Sequence, residues 1–223
     1  MKIKWLGHAS FLLTATDGTR VVTDPFSGEI GFDFPAVSAD VVTVSHDHYD
    51  HNNSKAVSGA PVVFSSVGNF QRENVRLQGI PTYHDEVEGA KRGPNVAFII
   101  ELDGIKICHL GDLGQPENDE LVRAAKGVDI LLIPVGGTYT LDGKTAADYV
   151  GKIQPKIIIP MHFKTPDLCI EIDGVAEFEK AIKGAEITHL GAETLPISRA
   201  ILDGIDGLKV IVLDKRIPTS KRR

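Results

Sequence analysis

Cysteine is scarce: the 223 residues contain two, Cys108 and Cys169, far apart and in no C-x-x-C pair. This excludes a disulfide framework and a paired-thiolate motif, and it points to a reducing compartment such as the cytoplasm. Long apolar runs are also missing, with no stretch of about 18 apolar residues, so no membrane span is expected. The opening Met1-Lys2-Ile3-Lys4-Trp5 lacks the apolar core and small-residue cleavage site of a signal peptide. Positive charge is in short supply: 24 Lys and Arg stand against 30 Asp and Glu, a net charge of −6. A nucleic-acid partner would require a basic face, and this balance argues against one. The basic residues that do bunch, Lys215-Arg216 and Lys221-Arg222-Arg223, read as a solvated tail over 215–223. No Gly-x-Ser-x-Gly elbow marks a serine nucleophile.

Apolar residues make up 42% of the chain and charged residues 24%, the range of an ordinary globular protein. The length suits one domain over 1–223, and no repeat, linker or low-complexity block divides it. Strands are expected at Lys2 to Leu6, Phe11 to Ala15 and Arg20 to Thr23, with Asp17-Gly18 as a hairpin turn. Asp24-Pro25 ends that strand and opens a loop running to Pro35. Further strands are expected at Asp40 to Val44, Pro61 to Phe64, Val75 to Tyr83, Asn95 to Leu102 and Ile105 to Leu110. The last two form a hairpin through Asp103-Gly104, and Asn53 to Val57 reads as a brief helical segment.

The second half alternates. Helices are expected over Glu117 to Lys126, stopped by Gly127, over Thr145 to Ile153 with Thr145 as cap, and over Val175 to Lys183. Strands fall at Ile130 to Pro134, Lys156 to Ile159, Ile187 to Leu190 and Leu208 to Leu213. Hairpins first and alternation afterwards imply two sheets with helices outside.

The chemistry concentrates in Ser45-His46-Asp47-His48-Tyr49-Asp50-His51. Three of the chain's eight histidines fall within six positions there, directly after an apolar strand. Histidine nitrogen and aspartate oxygen are ordinary ligands of a divalent metal, and a packed cluster of them requires positive charge. His84, Asp112 and His162 each follow another expected strand, so all seven side chains can converge at one sheet edge. Seven ligands exceed one tetrahedral zinc and suit two metals sharing a water or hydroxide, with a bridging carboxylate.

The series His46-x-His48-x-Asp50-His51, His84, Gly111-Asp112 and His162 resembles the ligand series of the metallo-β-lactamase superfamily. Trp5-Leu6-Gly7-His8-Ala9-Ser10-Phe11 and Thr23-Asp24-Pro25-Phe26 resemble one branch, the small metal-dependent hydrolases and L-ascorbate-6-phosphate lactonases. Tyr83-His84-Asp85, Cys108-His109-Leu110-Gly111-Asp112-Leu113-Gly114, Pro134-Val135-Gly136-Gly137-Thr138-Tyr139-Thr140 and Ile159-Pro160-Met161-His162 fit the same branch. The resemblance implies a mixed α/β (α+β) fold, a four-layer αββα sandwich of two mixed β-sheets flanked by helices. It also implies His46, His48 and His84 on one metal, Asp50, His51 and His162 on the other, and Asp112 bridging. The activity implied is hydrolysis of a small, anionic ester, lactone or phosphodiester by a metal-bridging hydroxide, with Asp50 also acting on the nucleophile's proton.

Departures from the superfamily's other branches narrow the reading. Flavodiiron-type relatives carry glutamate where this chain has His48, and two-zinc β-lactamases often carry cysteine where it has Asp112. RNA-processing nucleases carry an insert or exosite arm for which this chain has no room. The ions expected are two divalent metals, with zinc ahead of manganese or iron. The competing readings are a non-catalytic metal-binding scaffold or sensor and a single-iron oxidoreductase of the same fold. The partner expected is a small molecule, with no membrane and with room for a homo-oligomer.

Several residues carry double readings. His8, between two strands, either points into the site to orient a ligand or substrate or serves as a structural histidine. Asp24 is expected to brace the metal loop by accepting backbone N–H bonds. His109 is expected to be structural, His189 to lie at the surface or in the core, and Cys108 to be a small buried residue. Lys164 and Arg92 are candidate contacts for an anionic substrate, and Tyr139 is a candidate to close over it.

Overall fold

The computed structural model describes residues 1–215. The N-terminal half builds a meander and its parallel extension: β1 (Lys2–Gly7), β2 (Ser10–Thr14), β3 (Arg20–Thr23), β4 (Val37–Ser38), β5 (Val41–Thr43), β6 (Val57–Ser58) and β7 (Val62–Phe64). Then come β8 (Gly68–Arg72), β9 (Val75–Tyr83), β10 (Pro94–Leu102) and β11 (Ile105–His109). At the β10–β11 turn Asp103 (φ 55°) and Gly104 (φ 69°) both take positive φ, as a two-residue type I′ hairpin demands.

The second half runs α1 (Asp119–Ala125), β12 (Ile130–Pro134), α2 (Gly143–Ile153), β13 (Ile157–Met161), α3 (Ala176–Ala181), β14 (Ala185–His189), β15 (Thr194–Pro196), α4 (Arg199–Asp203) and β16 (Leu208–Val212). Two capping details differ from the sequence reading. Asp142, not Thr145, caps α2, its Oδ1 accepting the Thr145 N–H at 2.8 Å, so the helix begins two residues earlier. Asn118 caps α1 in the same way through Leu121 N, which trims the expected Glu117 start to Asp119. The expected helical segment after Asn53 is a single 3₁₀ turn, Ser54–Ala56.

The strands form two mixed sheets. A six-stranded sheet has the order β15-β1-β2-β3-β5-β7, and an eight-stranded sheet has β14-β16-β13-β12-β11-β10-β9-β8. The central β12 and β13 are buried at every position, as parallel strands covered on both faces must be. One apolar cluster joins Ile3, Trp5, Phe11 and Leu13 of the smaller sheet to Phe98, Ile100 and Ile107 of the larger, and to Leu121, Tyr149 and Phe178 of the helices. The outer face of the smaller sheet is covered differently. Val22 and Val42 pack there against Ala39, Val57 and Phe34, from loops and the short β4–β6 ladder.

This layout aims strand ends at one place. β1, β3, β5, β9, β11 and β13 all finish just before His8, Asp24, His46, His84, Asp112 and His162 respectively. Lys215, the first residue of the expected basic tail, is half-buried, its Nζ lying 2.9 Å over the Phe32 ring and its burial lowering its pKa to about 8. The rest of that expected tail, 216–223, lies outside the described residues. Among the described residues no helix is long and apolar enough to cross a membrane.

Candidate metal centre

One oxygen is the hub. Asp112 Oδ2 lies 3.1 Å from His51 Nε2, 3.2 Å from His162 Nε2, 3.3 Å from His84 Nε2 and 3.9 Å from His46 Nε2. Every imidazole therefore presents the same nitrogen to the centre. Three of them have the other nitrogen engaged: His51 Nδ1 with Asp24 Oδ2 at 2.9 Å, His46 Nδ1 with Ser45 Oγ at 2.9 Å, and His84 Nδ1 with the Tyr139 carbonyl at 3.1 Å. A proton held on Nδ1 by an acceptor leaves the Nε2 lone pair free to face inward, which is how a metal-binding histidine is prepared.

Among the described residues, Asp24 with His46 and His51 makes a donor grouping that overlaps two others, which adjoin at the centre. His46, His48 and His84 form one, and Asp50, His51 and His162, with His8, form the other; within each group the donor atoms lie within 4.8 Å of one another. Asp112 touches members of both.

Asp24 holds the loop from behind. Its Oδ1 accepts the Ser45 N–H at 2.8 Å and its Oδ2 accepts the Ser45 hydroxyl at 2.5 Å. It thus reaches His51 directly and His46 through Ser45, a wider brace than backbone bonding alone. Sequence reasoning missed Ser45; its place just before the first histidine was the only signal. It also missed Asn95, whose Oδ1 accepts the Asp112 N–H at 3.0 Å while its amide donates to Leu110 O and Thr82 Oγ1. His109, buried, bonds Ala9 O at 2.7 Å and accepts the Gly111 N–H at 3.2 Å, a structural role. His189 pairs with Glu179 at 2.8 Å, away from the centre.

His8 is brought into the cluster. Its Nε2 sits 3.2 Å from Asp50 Oδ2, and its ring packs 4.3 Å from His162 and 5.1 Å from His51. The backbone is forced to make this fit: His8 (φ 54°), Asp24 (φ 39°) and His162 (φ 49°) are all left-handed non-glycine residues. Such conformations persist where surrounding structure over-determines them, commonly at functional sites.

The electrostatics call for cations. Burial and neighbouring imidazoles lower His46 to about 3 and His8 to about 4, so both are neutral at pH 7. Burial opposes charge on Asp112 and Asp50, yet the surrounding histidines hold both carboxyls well below their usual range. Burial also opposes charge on His51, but Asp112, Asp24 and Asp50 together raise its pKa well above the usual value. Among the described residues, every ion-pair contact of Asp24, Asp50 and Asp112 is to a histidine, never to Lys or Arg. Three buried carboxylates packed beside His46 and His8, both neutral, are costly unless positive charge joins them.

Two orphaned nitrogens and an orphaned oxygen mark where it would go: His46 Nε2, His51 Nε2 and Asp112 Oδ1 are buried without hydrogen-bond partners. The residues fit divalent metal, and their N/O donor set admits zinc, manganese or iron.

A cleft of about 640 Å³ opens over the cluster, its wall including His48, Asp50, His84, Asp112 and His162. Arg92 and Tyr139 line it, the guanidinium lying 5.4 Å above the Tyr139 ring. Lys164 does not. Its ammonium bonds the Ile170 carbonyl at 2.9 Å and Glu171 at 3.0 Å, two residues of the cleft wall.

Known proteins share both sequence and fold. The profile of the "Beta-lactamase superfamily domain" matches residues 2–162. A UPF0173 metal-dependent hydrolase of Pelotomaculum thermopropionicum is 32% identical over 216 residues, covering 83% of this chain and 93% of its own. One from Thermoplasma acidophilum is also 32% identical over 216 residues, covering 85% and 94%. The crystal structure of a protein assigned as a Zn-dependent hydrolase of the metallo-β-lactamase superfamily, from Thermotoga maritima, superposes with a TM-score of 0.76 at 36% identity, covering 95% of this chain and 97% of that one. The lactonase side of the expected branch has no counterpart among these relatives. A profile spanning most of the chain, together with relatives matched over nearly their whole length, places this chain in the metallo-β-lactamase superfamily, among its metal-dependent hydrolases.

Proposed function

We propose that the chain is a dinuclear hydrolase of a small anionic ester, lactone or phosphodiester. In this reading His46, His48 and His84 hold one ion, Asp50, His51 and His162 hold the other, and Asp112 is shared. The observation that carries it is Asp112 Oδ2 in reach of four inward-facing Nε2 atoms at 3.1, 3.2, 3.3 and 3.9 Å, drawn from both ligand groups. When bound, two such cations supply Lewis acidity and bring the pKa of coordinated water towards about 7.

The chain's own groups do the rest. Asp24 and Ser45 fix the His51 and His46 rings, so the donor geometry exists before substrate arrives. Asp50, ionised and open to the cleft, is placed to take a proton from the attacking water and pass it to the leaving oxygen. Water oxygen then bonds to the acyl carbon or phosphorus, the bond to the leaving oxygen breaks, and that oxygen departs protonated. Arg92, on the cleft wall, supports an anionic substrate. Glu29 and Glu171 on the same wall, with a net charge of −6, support a small molecule rather than a nucleic acid.

The test is metal analysis of protein purified without added metal, then an activity panel of lactones, thioesters and phosphodiesters with zinc, manganese or iron restored. Two ions per chain and turnover abolished by Asp50→Ala are expected. One iron per chain with no hydrolysis on the panel would move the assignment to an oxidoreductase.

A further inference from the structure

We infer that the cleft selects a substrate with a flat ring and a single negative charge: the ring lies between Tyr49 and Tyr139, and the charge lies on Arg92. This rests on the hydrolase reading above and adds the substrate class to it.

The first observation is where the exposed aromatics are. Among the described residues the large apolar side chains left exposed include two aromatics, Tyr49 at 48% and Tyr139 at 40%, and both line this cleft. The others are aliphatic and lie elsewhere, on strands, loops and α4. A single exposed apolar residue requires no explanation, but aromatic surface gathered at one concave site marks a binding wall. Ile170 and Cys169 extend that wall.

The second is that both tyrosines are carried by segments that also build the metal centre. Tyr49 sits between His48 and Asp50, its carbonyl tied to Ser27 N at 3.0 Å. The Tyr139 carbonyl is the acceptor for His84 Nδ1 at 3.1 Å. The backbone at each tyrosine is therefore fixed relative to the candidate metal donors, and both rings line the cleft that opens over them. Tyr offers large contact area at little cost in side-chain entropy, which suits such a clamp.

The third is Arg92. Asp85 accepts the backbone N–H groups of Val87, Gly89, Lys91 and Arg92, folding the loop that presents the guanidinium. That guanidinium rests over the Tyr139 ring at 5.4 Å, and Nη2 donates to Thr138 O at 3.2 Å. Among the described residues it has no carboxylate partner within salt-bridge distance, in contrast to Lys164, which is paired with Glu171. A guanidinium stacked on a ring keeps in-plane N–H groups for a carboxylate or phosphate oxygen. Glu29 on the same cleft disfavours a second negative charge.

The experiment is calorimetric titration of the metal-loaded full chain with phenylphosphinate and with methylphosphinate, two monoanions of one tetrahedral head group. The phenyl compound should bind roughly ten-fold tighter. Tyr49→Ala should bring that ratio close to one, Tyr49→Phe should preserve it, and Arg92→Gln should weaken both ligands together. Equal affinities in the unaltered chain overturn the ring site and leave the hydrolase reading standing. Binding of neither, in a chain that carries its metals, overturns both. Selective phenyl binding with no hydrolysis of any substrate in the panel upholds the ring site and removes the hydrolase reading.

Discussion

Asp24 accepts a hydrogen bond from His51 Nδ1 at 2.9 Å, with neither side chain exposed to solvent, and the same oxygen receives the Ser45 hydroxyl. Burial opposes ionisation of Asp24, but His109, His51 and His46 hold its pKa below the usual value. A carboxylate whose charged form its histidine neighbours favour thus sets the tautomer of His51 and, through Ser45, of His46. Asp24→Ala is expected to weaken metal binding by about 10- to 100-fold. Competition against a graded series of chelators reads this directly, and unchanged affinity would remove the bracing role.

The candidate metal donors were legible as a cluster in the sequence because each follows an apolar strand, and strand ends carry chemistry wherever sheets meet loops. For His46 to His51, His84, Asp112 and His162 that logic predicts convergence, which the structure shows; their roles as ligands came from the family resemblance and belong to the proposal. Asn95 was not legible. It reads only as the start of a hairpin arm, and the β10–β11 register, which sets Phe98 opposite His109, brings it beside Asp112. The partners of Lys164 were not legible either: it stands two residues after His162, and only the folded loop shows its ammonium bonded to Ile170 and Glu171. β8 was missed because Gly68–Arg72 has one large apolar side chain and little alternation, as an edge strand can afford.

Gly111 immediately precedes Asp112 and has φ 56°. A Cβ there would meet Asn95 Oδ1 at 2.4 Å and the Ser45 Cβ at 2.5 Å, two groups already committed to holding the centre. Gly111→Ala combines left-handed strain with overpacking and should cost about 3 kcal/mol. Thermal unfolding should show a Tm lower by roughly 10 °C, accompanied by weaker metal retention.

His8 has one side-chain hydrogen-bond partner, Asp50, and fills the space between His51 and His162. Replacing it with alanine should weaken binding of the ion proposed for Asp50, His51 and His162 more than that of the ion proposed for His46, His48 and His84, by about ten-fold. His8→Gln, which keeps a donor, should recover part of the loss. Stepwise metal titration separates the two sites; equal weakening of both would mark His8 as merely structural.

The two cysteines should behave as opposites. Cys108 is buried in the larger sheet, and burial pushes its thiol pKa up to about 12, while Cys169 is exposed on the cleft wall. A thiol reagent should label one site on the folded chain, Cys169, and reach Cys108 only after unfolding. A bulky adduct at Cys169 should also suppress hydrolysis by filling the cleft. Mass spectrometry of the labelled peptides checks the first expectation, and residual turnover checks the second.

Far from the metals, Arg199 grips Asp129 with two bonds of 2.7 Å, and the Lys106 N–H adds a third at 2.9 Å. Burial opposes the Asp129 charge, but these donors outweigh it and hold the carboxyl below its ordinary value. A carboxyl depressed in the folded state stabilises fully above its unfolded pKa, and that contribution is lost as pH falls through the lower folded value. Arg199→Gln should therefore be less stable than the unaltered chain by a constant margin above about pH 5, a margin that narrows below about pH 4. Urea midpoints of both proteins from pH 7 to pH 3 measure it. A margin that does not change with pH would mean that Arg199 stabilises by packing its stem against α4 and the β10–β11 turn, and not through the Asp129 carboxylate.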